Sequence, residues 1–381
     1  MIRKEFLPVS RPDVSEKEIT KVAEILRSGW WTTGPVVTEF ENNTIEYLRD
    51  SEDLYAVGVN SCTSGLHLAL IASGIGSQDE VIIPTWTFAA TAQVVEWIGA
   101  IPVLCDIEED SLNIDLSKAE KLITSRTKAI IPVHMAGYPC DLDGLRNLAR
   151  KYNLKVIEDA AHAFGTKYYQ RKIGNFSDLC VFSFYATKTL ATGEGGMVVS
   201  RDKQLIEKIR QKSYFGINKE AFKRYGATGA WFYDIEDLGY KCNLDSIHAA
   251  LGLAQLERLD QMVAIRRQIA KRYRDGLSGL VDFTADSDRH FHPYHLFIIK
   301  LRSPAITRND LIIELKKRNI GSSVHFIPLH MHSYYKKRFP ENNFPVANKT
   351  FSNVLSIPMF SAMTIEDADY VIDQLKIILG G

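Results

Sequence analysis

The chain has 381 residues, 45% of them hydrophobic, and its 46 basic side chains balance 46 acidic ones. This length and composition allow a large core and two domains. Because the net charge is zero, no overall positive field attracts nucleic acid or an anionic membrane, and we predict neither as a partner. The N-terminus lacks an apolar signal core, no later stretch is long enough to span a bilayer, and no Cys-x-x-Cys pair occurs. Together these features predict a cytoplasmic protein with reduced thiols.

Predicted strands and helices alternate through the N-terminal half of the chain. An N-terminal arm and an amphipathic helix from about Ser15 to Arg27 lead into an aromatic, glycine-rich loop at residues 28–35, which is either packing or the rim of a binding site. Predicted strands are Tyr55–Val59, Glu80–Pro84, Pro102–Asp106, Lys128–Val133 and Lys155–Glu158, and predicted helices are Gly65–Ser73, Ala89–Gly99, Leu116–Thr124 and Leu142–Tyr152. This alternation predicts an α/β fold with a mostly parallel central sheet, whose ligands bind beyond the carboxyl ends of the strands.

Several side chains that could bind a ligand follow these strands. After the first strand, Thr63 and Ser64 open a helix whose N-terminus could bind phosphate, although an ordinary N-cap is the alternative. After the second strand, Phe88 could stack on a flat heterocycle or belong to the core. After the fifth strand, Asp159 could pair with a protonated ring nitrogen or cap the helix that follows, and His162 could be a core histidine.

Lys188 lies in the stretch around which the chain is organised, residues 179–200. Two apolar runs that predict buried strands flank it, Ser183 lies in the first run, and three glycines follow the lysine. A buried ammonium without a partner is costly, so this lysine either reaches water or has a lowered pKa. A lysine of the second kind can form a Schiff base with an aldehyde cofactor.

The C-terminal part begins with an aromatic and basic segment, Lys219–Lys241, which is either a functional loop or disordered and whose charge suits a nucleotide diphosphate. A long amphipathic helix then begins at Gly239–Asn243, where Asn243 could be only the N-cap. Its apolar positions are Leu244, Ile247, Leu251, Ala254, Ile265 and Ile269. We place the domain boundary within this helix, which gives a large domain with the N-terminal arm at residues 1–250 and a small α/β domain at residues 251–381. In the small domain we predict strands at His295–Leu301 and Ser322–Phe326 and helices at Arg308–Lys317 and from Thr364 to about Leu379.

Histidines cluster at His290, His292 and His295 and again at His325, His330 and His332. Neither cluster has a helical i, i+4 spacing with a nearby carboxylate, and prolines interrupt both. We therefore predict a pocket wall or packing at these positions and no metal site.

Together these residues fit one cofactor, pyridoxal phosphate, which needs a lysine for its aldehyde, an aspartate for its ring nitrogen, a phosphate cup and a stacking partner. The chain offers, in that order, Lys188, Asp159, Thr63 with Ser64 and Ser183, and Phe88 or His162. No Gly-x-Gly-x-x-Gly opens a helix after a strand, which excludes a nicotinamide dehydrogenase.

Longer motifs run along nearly the whole chain: Ser28-Gly-Trp-Trp-Thr-Thr-Gly34-Pro, Ser61-Cys-Thr-Ser-Gly-Leu-His, Ile131-Pro-Val-His-Met-Ala-Gly, Glu158-Asp-Ala-Ala-His-Ala, Ser183-Phe-Tyr-Ala-Thr-Lys188, Gly193-Glu-Gly-Gly, Gly239-Tyr-Lys-Cys-Asn-Leu and His325-Phe-Ile-Pro-Leu-His. In kind and order they closely resemble the DegT/DnrJ/StrS group of sugar-nucleotide aminotransferases, which are pyridoxal-phosphate enzymes of fold type I. The resemblance implies a large domain that binds the cofactor, a smaller C-terminal α/β domain, and a homodimer with active sites at the interface.

The resemblance also implies roles for individual residues. Lys188 would form the Schiff base, Asp159 would keep the ring nitrogen protonated, and His162 would lie against the ring. The phosphate would be bound by Ser64 and Ser183 together with Asn243 of the partner subunit.

The substrate pocket would be lined by residues 219–241 and 325–330, and we predict substrate contacts for Thr33, Tyr185, Lys241, His325 and His330. The usual substrate of the family is a nucleotide-linked 4-keto-6-deoxy sugar, with L-glutamate as amino donor. Phe88 stands where some relatives have tryptophan, and His162 where many have glutamine. A histidine there resembles the members that aminate carbon four.

The sequence leaves three alternative functions open. Carbon three could be aminated instead of carbon four. A pyridoxal-dependent sugar dehydratase on the same fold is a second alternative, but the resemblance implies a histidine in place of Lys188 in such members. A regulator that binds the cofactor without catalysis is a third, and the complete set of lysine, aspartate and phosphate-binding residues argues against it.

Overall fold

The computed structural model describes residues 2–50, 52–217, 232–302, 306–339 and 343–380. Its helices are α1 (Glu16–Ser28), α2 (Pro35–Leu48), α3 (Cys62–Ala72), α4 (Ala89–Trp97), α5 (Leu116–Lys121), α6 (Leu142–Tyr152), α7 (Lys203–Ser213), α8 (Ser246–Leu277), α9 (Arg308–Lys317), α10 (Ser333–Arg338), α11 (Pro345–Phe351) and α12 (Ile365–Leu379). Its strands are β1 (Tyr55–Val59), β2 (Glu80–Pro84), β3 (Ile101–Cys105), β4 (Thr127–Ile130), β5 (Lys155–Asp159), β6 (Lys167–Tyr168), β7 (Arg171–Lys172), β8 (Leu179–Ser183), β9 (Gly196–Ser200), β10 (Val281–Phe283), β11 (Phe297–Leu301) and β12 (Val354–Ile357).

A mostly parallel sheet forms the centre of the molecule. Within the described ranges it has seven strands in the order β1-β9-β8-β5-β4-β2-β3, and only β9 runs antiparallel to its neighbours. Along β2, Val81 and Ile83 belong to one hydrophobic cluster and Ile82 to another, because successive side chains point to opposite faces of a strand. Both faces are therefore covered, as parallel sheets require. The predicted α/β fold with a mostly parallel central sheet is confirmed.

The predicted elements of the N-terminal half match the structure closely. β1 and β2 have the predicted bounds, whereas β4 ends at Ile130, short of the predicted Val133. The prediction omits helix α2, which begins directly after the glycine-rich loop. Gly34 is its N-cap and Pro35 its first residue, the helical position that tolerates a proline best.

The strand predicted at residues 322–326 is wrong. Only Ser323 pairs there, through one isolated bridge to Ser356 of β12. The small sheet instead has the order β10-β11-β12, with β11 central and antiparallel to both neighbours. The segment begins with two serines and is flanked by Gly321 and Pro328, and such residues favour irregular backbone over a strand.

Helix α8 connects the central sheet to the C-terminal part of the chain. Asp245, not Asn243, is its N-cap, and its carboxylate accepts the backbone N–H groups of Ile247 and His248 at 2.9 and 3.0 Å. The first half of α8 packs in one cluster of the central sheet, where Leu253, Leu259, Met262 and Val263 lie. The second half packs in the C-terminal cluster, where Ile269, Tyr273 and Leu277 lie. The boundary at residues 250 and 251 stays a prediction, because α8 itself is continuous across it.

None of the helices in the described ranges, including the 32-residue α8, has an apolar stretch that could cross a membrane. The five cysteines are free thiols, and all but Cys242 are buried.

Replacing Arg266 with methionine is expected to destabilise the protein by about 2–3 kcal/mol. The Arg266 side chain is buried in α8, and its Nη1 donates to the carbonyl oxygens of Tyr294, His295 and Met359 at 3.3, 3.5 and 3.1 Å. Methionine fills a similar volume but leaves buried carbonyls without a donor. Urea unfolding measures the change. Arg272→Met, which removes only an exposed pair with Asp369, should leave the midpoint unchanged.

Candidate active site

The carboxyl ends of β5 and β8 lie side by side and carry the first site residues. Asp159 ends β5 and pairs with Val181 of β8, and Ser183 ends β8 opposite Gly196 of β9. The turn between β8 and β9 carries Lys188, whose backbone N–H donates to the Tyr185 carbonyl at 2.8 Å. The predicted positions at strand ends thus meet at one edge of the sheet.

The amine of Lys188 is buried away from water, whereas the residue as a whole is only half-buried. Burial lowers the pKa of Lys188 to about 8, and the nearby Cys62 thiol and Asp159 carboxylate act in the opposite direction. Because the attraction of these two groups does not outweigh the loss of hydration, the Lys188 amine loses its proton easily. This is the second of the two alternatives that the sequence left open for the lysine.

Asp159 is buried, and both of its carboxylate oxygens accept hydrogen bonds. Oδ2 accepts from the Thr91 hydroxyl at 2.8 Å, and Oδ1 accepts from the Ala161 backbone N–H at 3.2 Å, with the Cys62 thiol 3.9 Å away. Burial raises the pKa of Asp159, while these donors and the Lys188 charge oppose the rise. The helix-cap alternative is wrong, because turns and not a helix follow the strand at Ala160.

His162 lies near Lys188 and packs against other aromatic rings. Its Nδ1 accepts the Ala136 backbone N–H at 3.3 Å, so the neutral ring carries its proton on Nε2. Its ring lies 4.4 Å from that of His295 and stacks on Phe326 at 5.8 Å. Burial, reinforced by the Lys188 charge, lowers the pKa of His162 well below its usual range, so the ring is neutral near pH 7.

Phe88 extends this group of aromatic rings toward solvent. It is 61% exposed and its ring lies 5.6 Å from that of Phe326. The core alternative for Phe88 is therefore wrong, and a ring that stacks on a flat ligand fits the structure better.

The N-terminus of α3 lies against the ends of β8 and β9. Ser61 is the N-cap, accepting the Ser64 backbone N–H at 3.1 Å, and its hydroxyl lies 3.0 Å from that of Ser64. A Cβ on Gly196 would come within 2.7 Å of the Cys62 nitrogen, so only glycine allows this approach. Thr63 and Ser64 are half-buried and therefore partly open to a ligand. The ordinary N-cap alternative belongs to Ser61 and to neither predicted residue.

A second polar group contains Thr33, Lys241 and Asn243. The Asn243 amide donates to the Thr33 hydroxyl at 2.6 Å and accepts from the Lys241 amine at 2.6 Å. Cys242 lies between Lys241 and Asn243 in the sequence, and its thiol contacts the Ser64 hydroxyl. Thr33 and Asn243 also line a cavity of about 1430 Å³ between α2, β1 and α7. Burial lowers the pKa of Lys241.

The other predicted substrate contacts have different surroundings. The Tyr185 ring is 48% exposed. The Nδ1 of His325 lies 2.9 Å from the Ser356 hydroxyl, and burial, with the Lys188 charge, lowers the pKa of His325 to about 4. His330 has partners on both ring nitrogens, Thr85 and Asn348, each at 2.7 Å. The roles of all three in substrate binding stay predictions.

Part of the predicted site lies outside the described residues, namely the basic and aromatic residues Lys223, Arg224, Tyr225 and Trp231. The described end of the segment at residues 219–241 is held by Lys212, whose buried amine pairs with Asp237 at 2.5 Å. Over the described ranges, no group of three or more His, Cys, Asp and Glu side chains is arranged to hold a metal ion.

Cys62 and Thr91 contact Asp159, and neither has a site role predicted from the sequence. Cys62 lies in α3 directly before Thr63 and Ser64, and Thr91 lies in the first turn of α4 after Phe88. His295 belongs to a histidine cluster for which we predict a pocket wall or packing, and its ring lies 4.4 Å from that of His162. No local sequence signal points to Thr91, because its hydrogen-bond partner Thr87 lies before α4 and not on the same helix.

These residues fit pyridoxal phosphate. The Asp159 carboxylate is buried with neutral donors and, among the described residues, without an ion pair, so it can still take a cationic N–H group. The Lys188 amine beside it has the lowered pKa that an aldehyde requires. Thr63, Ser64 and Ser183 would hold the phosphate.

We expect the Lys188 amine of the cofactor-free protein to react fast near neutral pH. Only the neutral amine attacks an electrophile, so its acylation rate should rise about tenfold per pH unit up to about pH 8 and then level off. Peptide mass spectrometry after brief acylation measures the rate, with exposed lysines of the same digest for comparison. A rate still climbing tenfold per unit near an ordinary lysine pKa of about 10.4 would contradict the lowered value.

Comparisons with known proteins identify the family of this chain. The family model described as the DegT/DnrJ/EryC1/StrS aminotransferase family matches residues 12–376. The spore coat polysaccharide biosynthesis protein SpsC of Bacillus subtilis (strain 168) is 45% identical over an alignment of 388 residues, which covers 100% of this chain and 98% of that protein.

Solved structures resemble the whole fold. Spr1654 from Streptococcus pneumoniae in its PMP-form is 33% identical with a TM-score of 0.91, covering 98% of this chain and 99% of that chain, and its PLP-form has a TM-score of 0.89. The sugar aminotransferase CalS13 from Micromonospora echinospora is 30% identical with a TM-score of 0.87, covering 97% of this chain and 99% of that chain. The predicted fold type I architecture and pyridoxal phosphate cofactor are confirmed, and the chain belongs to the DegT/DnrJ/EryC1/StrS family of pyridoxal-phosphate-dependent sugar aminotransferases.

Proposed function

We propose that this protein transfers the amino group of L-glutamate to the keto carbon of a nucleotide-linked sugar, giving an amino sugar nucleotide and 2-oxoglutarate. The observation that carries the proposal is the Lys188 amine beside the buried Asp159 carboxylate in a chain of this family. SpsC is described as a polysaccharide biosynthesis protein and CalS13 as a sugar aminotransferase, which supports a sugar acceptor. We propose a 4-keto-6-deoxy hexose, aminated at carbon four, because His162 resembles the members with that position.

Lys188 would hold the cofactor through Nζ and would move protons. Pyridoxal phosphate, when bound, draws in the electron pair left on a substrate carbon whose proton departs. With the donor bound, the neutral Nζ amine would remove the α-proton of glutamate and later return a proton, acting as base and then as acid. Because burial lowers the pKa of Lys188 to about 8, a useful fraction of the neutral amine is present near pH 7.

Asp159 would accept a hydrogen bond from the ring nitrogen and keep the proton on it. The role requires an ionised carboxylate, since a protonated one cannot balance a positive charge. Donors from Thr91 and Ala161 favour that ionised form even though the group is buried.

His162 would exclude water from one face of the ring. The contacts of His162 with His295 and Phe326 support this role, because they fix the orientation of the imidazole ring. A neutral imidazole beside a cationic ring also avoids repulsion between like charges.

Phosphate groups would be bound next to α3. We propose that Thr63, Ser64 and Ser183 hold the cofactor phosphate within one subunit, and that Asn243 of the partner subunit completes the site in a homodimer. The substrate contacts that we propose are Thr33, Tyr185, Lys241, His325 and His330. Among these five residues, the Lys241 amine would supply the positive charge that binds a diphosphate.

A substrate panel tests the proposal. Purified protein loaded with cofactor is incubated with L-glutamate and nucleotide-linked keto sugars that differ in nucleotide and in keto position. We expect one of them to gain an amine, seen by mass spectrometry, with equimolar 2-oxoglutarate, and NMR of the product identifies the aminated carbon.

Each rival predicts a different result. A dehydratase would remove a hydroxyl group from the sugar and form no 2-oxoglutarate. A regulator binds cofactor without consuming any keto sugar. Amination at carbon three would correct the position alone, whereas loss of a hydroxyl group without a gained amine would reject the aminotransferase assignment for this chain.

A further inference from the structure

We propose that Thr91 is a positioning residue that orients the Asp159 carboxylate toward the ring nitrogen of the cofactor. The inference rests on the proposed role of Asp159. Thr91 lies in the first turn of α4, and its hydroxyl donates to Asp159 Oδ2 at 2.8 Å. Both side chains are buried, so water does not compete for this hydrogen bond.

A second hydroxyl supports the first. The Oγ1 atoms of Thr87 and Thr91 lie 2.7 Å apart, and Thr87 is also buried. An ionised carboxylate only accepts hydrogen bonds, and each hydroxyl has a single proton to donate. Since Thr91 gives its proton to Asp159, Thr87 must donate to Thr91. With Asp159 ionised, the chain of bonds therefore runs from Thr87 through Thr91 to the carboxylate.

The two oxygens of Asp159 are held by different elements. Oδ1 accepts from the Ala161 backbone N–H at 3.2 Å, next to the Cys62 thiol, whereas the donor to Oδ2 among the described residues is Thr91 alone. Without Thr91, the carboxylate could rotate about its last torsion angle and lose its alignment. Terminal torsions of this kind are broad unless neighbours fix them.

The same hydrogen bond bears on the charge of Asp159. Burial raises the pKa of Asp159, and the Thr91 hydroxyl is foremost among the groups that oppose the rise. Removing a donor to a charged acceptor favours the neutral form, so the carboxyl group should keep its proton to higher pH. A protonated Asp159 would hold a cationic ring nitrogen more weakly.

Thr91→Val tests the proposal, because valine keeps the shape and removes the hydroxyl. We expect the Asp159 carboxyl resonance of cofactor-free protein labelled with 13C-aspartate to titrate about one pH unit higher, and the cofactor to bind about tenfold more weakly. Asp159→Asn identifies the resonance. Thr91→Ser should return both values to within about twofold of the original protein, since serine restores the donor.

Thr44→Val is the matched control, because Thr44 is equally buried and its hydroxyl has no hydrogen-bond partner among the described residues. It should leave titration and cofactor affinity unchanged. If Thr91→Val does not fold, Thr87→Val gives the same test one step further from the carboxylate, with a smaller shift in the same direction.

An unchanged Asp159 titration in the valine variants, or a serine variant no better than valine, would overturn the proposal. The titration needs neither sugar nor amino donor, so a wrong substrate assignment would not affect it. Conversely, a shifted titration without weaker cofactor binding would remove Thr91 from any role toward the cofactor.

Discussion

Lys188→Ala is expected to lower turnover by about 10⁴-fold or more, because it removes both the group that holds the cofactor and the group that moves the proton. The absorbance of the cofactor bound through nitrogen should disappear with it. Cofactor can still bind through Asp159 and the phosphate-binding residues, so equilibrium dialysis should detect weaker but measurable binding. Turnover is measured as 2-oxoglutarate formed with the preferred keto sugar.

Lys172→Ala is the control for this variant. Burial also lowers the pKa of Lys172, but its amine lies over the Tyr47 ring and not beside Asp159. If a lowered pKa alone explained the effect, both variants would lose activity. We expect only Lys188→Ala to do so, and transamination retained by that variant would reject the assignment of Lys188.

Much of this site could be predicted because it follows from strand patterns. β5 and β8 are short apolar runs, and parallel strands bring the residues after them to one edge of the sheet. Asp159, Ser183 and Lys188 were found in this way. The family resemblance added the assignments of Asn243 and of the substrate contacts, which neither periodicity nor spacing reaches.

What could not be predicted depends on contacts between distant parts of the chain. Thr91 and Cys62 are 68 and 97 residues from Asp159, and nothing in their local sequence names their partner. Asn243 and Asp245 are both good N-cap residues, and only the folded backbone selects Asp245. Of the strand predicted at residues 322–326, the structure has only the bridge of Ser323 to Ser356 of β12, and the local sequence does not show how little of it pairs.

Asp159→Asn is expected to keep the cofactor bound but to lower turnover by about 10³-fold, because a preorganised negative charge is lost where positive charge must be held. Asparagine has nearly the same shape, so the bond with Thr91 and the fold should survive. Turnover with glutamate and the keto sugar, together with cofactor affinity, measures the two effects separately.

Asp106→Asn is the control, because Asp106 is also a buried carboxylate directly after a strand. It pairs with Lys118 at 2.9 Å and accepts two backbone N–H groups of α11, so its role is to join elements of the fold. That variant should lose stability and keep the turnover of its folded fraction. Near-normal rates for Asp159→Asn would remove Asp159 from its role.

A cofactor analogue whose ring nitrogen carries a methyl group separates charge from geometry. Its positive charge is permanent, so it no longer needs Asp159 to hold a proton. If Asp159 acts by keeping the ring cationic, the analogue should raise the turnover of Asp159→Asn about tenfold or more above that with the natural cofactor. In the original protein the analogue should give no gain, because Asp159 already maintains the charge. Equal turnover of the variant with both cofactors would mean that Asp159 positions the ring without setting its charge.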